Sequence, residues 1–228
     1  MSKRFLITAL SAMALLAATG GSAVAGEAIN PSDFGGVIDN PWLPLKPGTV
    51  LTYQGTKDDK PATLVMTVSN KTKTVDGVTC VVVEELVSLA GKPADRTTGY
   101  YAQDKDGNVW YFGEDVQEMN SKGKVTKTEG WHAGIDGALP SQVMEAAPVK
   151  GHTLVNAYTN DRSEVVSLAK PVKVPFGSYK DALMTKEWSP SEPNVLTHKY
   201  YVRGVGTVRD VAAKGPKEEL VLVKVEHQ

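Results

Sequence analysis

The amino-acid sequence predicts an all-β protein: a single-domain curved antiparallel sheet that forms a half-barrel or barrel, with an extended N-terminal arm and one long loop. Three observations carry this. Short runs rich in Val, Thr and Tyr are separated by Gly, Pro, Asn and Asp, the pattern of strands joined by turns. Helical periodicity is scarce beyond the N-terminal leader. Roughly eleven or twelve such runs follow one another, and sequential antiparallel strands in that number form a sandwich or a strongly curved barrel.

The chain opens "MSKRFLITALSAMALLAATGGSAVAGEA". Lys3 and Arg4 give a basic start, Phe5 to Ala18 an apolar run, and Ala23-Val24-Ala25 the small residues that a signal peptidase requires. Residues 1–25 therefore read as a signal peptide cleaved after Ala25. A membrane anchor is the competing reading. The run is shorter than the roughly 20 apolar residues of a span, and Gly20-Gly21-Ser22 interrupts it. No stable span is expected after cleavage, which places the mature protein in the periplasm or outside the cell.

Charge narrows the partners. The chain holds 25 basic and 26 acidic residues, which argues against nucleic acid or an anionic membrane surface. Its only cysteine, Cys80, lies in the apolar run "VTCVVVEEL", so packing rather than a disulfide must stabilise the fold. A buried, inert thiol is expected there.

Residues 26–47 precede the first strand, and "INPSDFGGVIDNPWLPLKPG" (29–48) carries four prolines there and breaks the strand pattern. They are expected to lie as an extended arm over the domain, anchored by Trp42 and Leu45. The antiparallel domain then runs over 48–228. "GTVLTYQG" and "ATLVMTVSN" alternate as strands. "KTKTV" and "VTCVVVEELVSLA" flank Asp76-Gly77, a pair that suits a type I′ turn because both positions need φ > 0. "RTTGYYAQD" and "NVWYFGEDV" form the next hairpin, and "VQEMN" and "KVTKTEG" flank Ser121-Lys122-Gly123. "GHTLVNAYT", "SEVVSLAKPVKV", "GSYKDALMTKEWS", "LTHKYYVRG", "GTVRDVAAK" and "EELVLVKVEHQ" complete the set. "WHAGIDGALPSQVMEAAPVKG", residues 131–151, reads as a long loop with one helical turn at Ser141 to Ala146. A loop of that length in a compact domain is often functional, so it is a candidate lid. A faint internal echo pairs Tyr100-Tyr101 with Tyr200-Tyr201, and Val109 with Val208.

The motif Asp104-Lys-Asp106-Gly-Asn108 imitates the start of a calcium loop. Asp104, Asp106 and Asn108 occupy the first, third and fifth positions, but Gly107 is fourth and Asp115 stands where glutamate belongs. A hairpin turn is the plainer reading, with a weak surface calcium site as the alternative; no other cofactor is expected. The aromatics say more. Alternation puts Trp110 and Phe112 on one face of their strand and Val109 and Tyr111 on the other. Tyr101, Trp110, Phe112 and Trp131, with His132 and Asp136, are the candidate ligand-binding residues. The bland alternative is an aromatic ladder covered by the arm or the loop. The four histidines share no metal-binding spacing, and there is no nucleophile elbow, phosphate loop or dinucleotide fingerprint.

"NPWLPLKPGTVLTYQG", "GYYAQDKDGNVWYFGED", "GWHAGIDGALPSQVM" and "KYYVRGVGTV" together resemble a family of uncharacterised secreted bacterial proteins, over nearly the whole mature chain. The Tyr-Ala-Gln-Asp…Gly-Asn-Val-Trp-Tyr-Phe-Gly-Glu-Asp block is its most specific part. More distantly, the Pro-Gly-Thr…Tyr opening and Gly-Val-Gly-x-Val close are similar to periplasmic proteins of the TapB and lipoprotein-carrier (LolA-like) kind. That resemblance implies a curved half-barrel around an apolar cavity. The near family lends no catalytic residues, and this chain has His132 where an acid is expected.

The leading expectation is thus a secreted or periplasmic binding or carrier protein for an apolar or amphipathic, lipid-like small molecule. The alternative is an envelope structural or interaction protein that binds other envelope proteins and no small ligand. A hydrolase centred on Glu129, His132 and Asp136 is third, and binding is favoured over catalysis.

Overall fold

A computed structural model describes residues 29–228. The signal peptide expected over 1–25 lies outside the described residues. Fourteen strands form one antiparallel sheet. After a 3-10 turn at Pro31–Asp33 come β1 (Phe34–Gly35), β2 (Thr49–Lys57), β3 (Lys60–Val75), β4 (Val78–Leu89), β5 (Lys92–Asp104), β6 (Val109–Met119) and β7 (Val125–His132). They are followed by β8 (Ser141–Met144), β9 (Thr153–Val155), β10 (Arg162–Val174), β11 (Gly177–Trp188), β12 (Leu196–Val202), β13 (Gly206–Lys214) and β14 (Glu219–His227). The spatial order is β7-β6-β5-β4-β3-β2-β14-β13-β12-β11-β10-β9, with β1 added to β5 and β8 to β6. The path has two ends, so the sheet is an open half-barrel rather than a closed barrel. No helix among the described residues is long and apolar enough to cross a membrane.

Tight turns explain the meander. Asp76 and Gly77 both have positive φ, at 48° and 78°, as a type I′ turn requires. Asp58-Asp59 and Ala90-Gly91 make the same kind of turn. Such turns match the twist of the strands they join and fix the register on each side.

Several expected elements are redrawn. "ATLVMTVSN" and "KTKTV" are not two strands; they are one strand, β3, with its register against β4 shifting between Val68 and Thr72. "NVWYFGEDV" and "VQEMN" likewise fuse into β6. Trp131 and His132 end β7 instead of opening a loop. The helical turn expected at Ser141 to Ala146 is a strand, β8, whose Ser141 to Met144 pair with Tyr111 to Val109 of β6. A free β6 edge with unmet backbone groups outweighs the weak helical tendency of four residues.

The curvature follows from the core. Inward side chains of β2 to β6 and β10 to β14 all meet in one buried cluster, including Leu51, Leu64, Val83, Tyr101, Leu183, Val208 and Leu222. A flat sheet could not bring them together. β13 and β14 pair only over Arg209–Val211 and Glu219–Val221. Beyond that point they part, and the tip of the β10–β11 hairpin takes up β14's backbone, with Phe176 N donating to Leu222 O at 3.1 Å.

The segment before β2 fills the same end of the half-barrel. Ile38, Trp42, Leu43 and Leu45 are buried in the core cluster. Asn40 organises this segment: its Oδ1 accepts from Trp42 N at 2.9 Å and Leu43 N at 3.0 Å, and its Nδ2 donates to Gly107 O at 2.8 Å. The Arg203 guanidinium lies 4.0 Å above the Trp42 ring. Burying an indole of that size contributes up to roughly 4–6 kcal/mol by area. A second, smaller cluster sits on the convex face: Val75, Val78, Cys80, Val82, Tyr100, Ala102, Phe112 and Ala133, with Phe34 and Trp110 laid against it. Cys80 is fully buried there, and burial pushes its thiol up to about 12, which leaves it inert.

Candidate functional site on the inner face of the sheet

Cross-strand register places a band of polar side chains on the concave face. Thr185 of β11 pairs with Lys199 of β12, and Lys199 pairs with Asp210 of β13. Tyr201 pairs with Thr207. On the other arm of the sheet, Glu85 of β4 pairs with Thr97 of β5, and Tyr101 of β5 with Tyr111 of β6. Directly opposed residues point to the same side, so these groups join the apolar core from within. Glu85, Thr97, Glu114, Thr185, Lys199, Thr207 and Asp210 are all buried.

The Lys199 ammonium donates to Glu187 Oε2 at 2.8 Å. Glu187 Oε1 accepts from Thr185 Oγ1 at 3.2 Å, Ser163 Oγ at 3.4 Å and the Tyr201 hydroxyl at 3.4 Å. Burial pulls the Lys199 pKa down, but Glu187, with Tyr201 and Asp210, more than offsets it and holds the ammonium charged.

Asp210 is different. It is only 3% exposed, its Oδ1 is buried, and that oxygen has no hydrogen-bond partner among the described residues. Burial pushes its carboxyl up to about 7, with Lys199 and Lys57 pulling it down and Glu187 and Glu218 pushing it up. Glu218, in the turn between β13 and β14, is 6% exposed; one of its oxygens is also buried and unpartnered, and burial raises its pKa while Lys57 lowers it. Thr207 Oγ1 and the indole N–H groups of Trp42 and Trp131 are buried without partners as well. Buried polar atoms in folded proteins nearly always find partners in protein or water. Thr207, Asp210 and Glu218 are three such exceptions, among the described residues, within one strand and the turn that follows it.

Four tyrosines line the band. Tyr101 and Tyr111 lie 4.6 Å apart between ring centroids, and the Tyr111 hydroxyl donates to Glu114 Oε2 at 3.0 Å. The Tyr53 hydroxyl donates to Thr207 O at 2.9 Å. Gly99 makes room for this stack: a Cβ there would lie 2.8 Å from the Tyr101 ring. Burial raises the phenol pKa of Tyr53, Tyr101, Tyr111 and Tyr201 well above the ordinary value, so all four stay neutral hydrogen-bonding groups.

The sequence-predicted residues divide between the two faces. Tyr101 and Trp131 belong to the inner core, where Trp131 meets Tyr111 edge-on at 5.6 Å. Trp110 and Phe112 lie on the convex face, each edge-to-face with Phe34, at 6.0 Å and 5.2 Å. The structure therefore does not bring these four aromatics onto one surface. His132 also faces outward: its Nε2 sits 3.1 Å from Asp115 Oδ1. The Tyr100 hydroxyl donates to Asp115's other oxygen, and Lys73 Nζ is 3.2 Å from that hydroxyl. Glu129 pairs with Lys127 Nζ at 2.8 Å, and Asp136 is an exposed turn residue with φ 51°. Glu129 shares the face of Trp131, so Glu129, His132 and Asp136 do not converge.

Asp104, Asp106 and Asn108 form a hydrogen-bonded turn. Asp104 Oδ1 accepts from Asp106 N at 3.0 Å and Asn108 N at 2.8 Å; Oδ2 accepts from Asn108 Nδ2 at 3.0 Å and Trp110 Nε1 at 2.8 Å. Four donors occupy the lone pairs that a cation would need. Among the described residues, no group of three or more His, Cys, Asp or Glu side chains is placed to hold a metal ion.

Sequence reasoning missed Lys199, Asp210, Glu187, Glu218 and Lys57. The signal was present in part. Lys199 and Tyr201 are two apart, as are Val208 and Asp210, so each pair shares a face.

No family model matches the sequence, and no curated protein matches it. Two solved structures are similar to this chain in part. One is a Bacteroides fragilis NCTC 9343 protein described as "a putative exported protein with YmcC-like fold", 16% identical, covering 81% of this chain and 98% of its own, with a TM-score of 0.47. The other is "a putative lipoprotein" from Parabacteroides distasonis ATCC 8503, 10% identical, covering 82% and 100%, with a TM-score of 0.45.

Proposed function

We propose that this is an extracytoplasmic binding protein whose concave face takes an amphipathic small molecule. Its apolar part would lie on the leucine, valine and tyrosine side chains of the inner core, and its polar part would meet the band around Asp210. The single observation that carries this reading is the buried carboxylate oxygen of Asp210, unpartnered among the described residues, with the unpartnered hydroxyl of Thr207 on the same strand. A site of mostly apolar lining with a few unmet polar groups is the usual chemistry of small-molecule recognition. The leader over residues 1–25 supports export. The band adds polar groups to the apolar cavity that the carrier resemblance implies, and it favours a ligand with a polar head over a plain hydrocarbon.

Native mass spectrometry of the mature protein from its own host envelope tests this. An adduct released by organic solvent is expected, and it should be lost when Asp210 and Thr207 are replaced together by Leu and Val. A bare mass from repeated gentle preparations would sink the reading.

One observation favours the second reading, an envelope interaction protein without a small ligand: Ile38, Trp42, Leu43 and Leu45 already fill one end of the half-barrel. On that reading, cross-linking in the envelope would capture a protein partner, and the purified protein would carry no small molecule.

A further inference from the structure

We infer that the polar end of the inner face is a site for an organic cation: a primary amine or similar ammonium group, held by Asp210 and Glu218. This rests on the inner-face binding reading above and names the chemistry of the ligand's head.

The argument begins with charge. Five ionisable side chains come together where β2, β11, β12, β13 and the β13–β14 turn meet: Lys57, Glu187, Lys199, Asp210 and Glu218. They are the groups that face Asp210 from the elements around it. Lys199 is committed to Glu187 at 2.8 Å. Lys57, which is buried, lies near both Asp210 and Glu218 and makes no ion pair within 4 Å of either. Three carboxylates thus share two ammonium groups, and Asp161 adds a further acid beside Glu187 and Lys199. The balance of charge is negative.

The second observation is hydrogen bonding. Asp210 Oδ1 and one Glu218 oxygen are buried acceptors without donors. Thr207 Oγ1, on the same strand as Asp210, is another. An ammonium group carries three N–H donors and one positive charge, no acceptor and a small volume. Its charge suits the negative balance, and its donors suit the unmet acceptors of Asp210, Glu218 and Thr207. A neutral hydroxyl would supply one donor and no charge. A carboxylate or phosphate would add to the surplus. A metal ion is a poorer match, since no three acidic, histidine or cysteine groups among the described residues converge on one point. The neighbouring tyrosines complete the environment: Tyr53 and Tyr201 are buried and neutral, so they add no charge of their own.

Asp210 also has a reason to stay ready. Burial holds its carboxyl near 7, so near neutral pH it exchanges a proton for a cation at low cost. A charge-assisted hydrogen bond in such a setting is about twice as strong as a neutral one.

The test compares three probes with the same eight-carbon chain: octylamine, octanol and octanoate, titrated calorimetrically into the mature protein at pH 8.5. Octylamine should bind about tenfold more tightly than octanol, with octanoate weakest. Asp210→Asn keeps the shape and should erase the amine's advantage over octanol. Glu218→Gln should reduce it, and serves as the second variant if Asp210→Asn folds poorly. Equal affinity for octylamine and octanol would overturn the cation site and leave the inner-face reading standing. An amine preference that survives both substitutions would overturn it too, because the preference would then come from surface carboxylates. Failure of all three probes to bind would remove the inner-face reading, and this inference with it.

Discussion

Trp131 and Tyr158 stack with ring centroids 4.8 Å apart and planes 15° from parallel. They do so across the two ends of the sheet: Trp131 belongs to β7, and Tyr158 follows β9. A hydrogen bond lies beside them, from Ala157 N to Ser141 Oγ at 2.8 Å. The half-barrel is thus clasped by side chains where a closed barrel would have a backbone ladder.

A clasp of that kind should open more readily than a ladder. Tyr158→Ala removes a stacked pair on a half-exposed ring, and should cost about 1 kcal/mol of global stability. The local effect should be larger: amide exchange in β9 and at the end of β7 should speed up well before the rest of the sheet. Hydrogen-exchange mass spectrometry reads this directly. Exchange unchanged in both strands would mean that the stack plays no part in holding the edges together.

The legible parts of this fold are those set by local chemistry. Asp76-Gly77 announces its turn because both residues must take positive φ. Tyr111 and Trp110 sort to opposite faces because a strand alternates. β3 was harder, because Ser69-Asn70-Lys71 looks like a turn. Lys71 N does bond Ser69 Oγ at 3.0 Å, but the chain absorbs that local turn as a register shift and keeps going. β8 was hidden because four residues carry too little pattern. The inner charges were hidden for a different reason. In "VVVEELV" and "GTVRDVA" a charged residue ordinarily marks the solvent face, yet Glu85 and Asp210 point inward. Only the partner strands decide that, and they lie far along the chain.

Lys199 is expected to matter more than its single ion pair suggests. Lys199→Met keeps the apolar stem and removes the charge. Glu187 would then keep only hydroxyl donors, and Asp210 would lose the cation that acts on it most strongly. Stripping one partner from a buried pair typically costs roughly 3–5 kcal/mol. Replacing Glu187 with Gln as well should recover part of the loss, since the uncompensated charge goes with it. Urea melts of both variants decide the matter. A single variant as stable as the parent would show that the pair is solvated in solution.

The convex-face aromatics make a separate claim. Phe34 meets Trp110 and Phe112 edge-to-face, and the Trp110 indole also donates to Asp104. Trp110→Ala should cost about 2–4 kcal/mol through lost packing and a lost charge-assisted bond. Phe34→Ala should cost less, and the double variant should fall short of the sum by about 0.5–1.5 kcal/mol, the coupling of an aromatic pair. Neither change should alter small-molecule content, because both residues lie on the face away from Asp210. Additive losses would show that β1 docks independently of Trp110.

Asp210 should leave a signature in the pH dependence of stability. Its carboxyl titrates near 7 in the folded protein and near the ordinary aspartate value when unfolded. Between those values the folded state binds the extra proton, so the unfolded state holds fewer. Stability must then fall as pH rises, from about 4 to about 7, and level off above. A shift of that size corresponds to a loss on the order of 4 kcal/mol across the window. Glu218, Asp161 and Glu192 are also raised by burial and push in the same direction. Asp210→Asn removes the largest of these contributions. The variant should match the parent at pH 4, where Asp210 is protonated in the folded state, and exceed it at pH 8. Urea melts across this range give the two curves. Curves that run parallel would mean that water reaches Asp210 and that its carboxyl is not raised. Saturating octylamine should shrink the parent's fall between about pH 4 and pH 7 and leave the variant's curve unchanged, because a bound ammonium offsets the charge whose burial is costly.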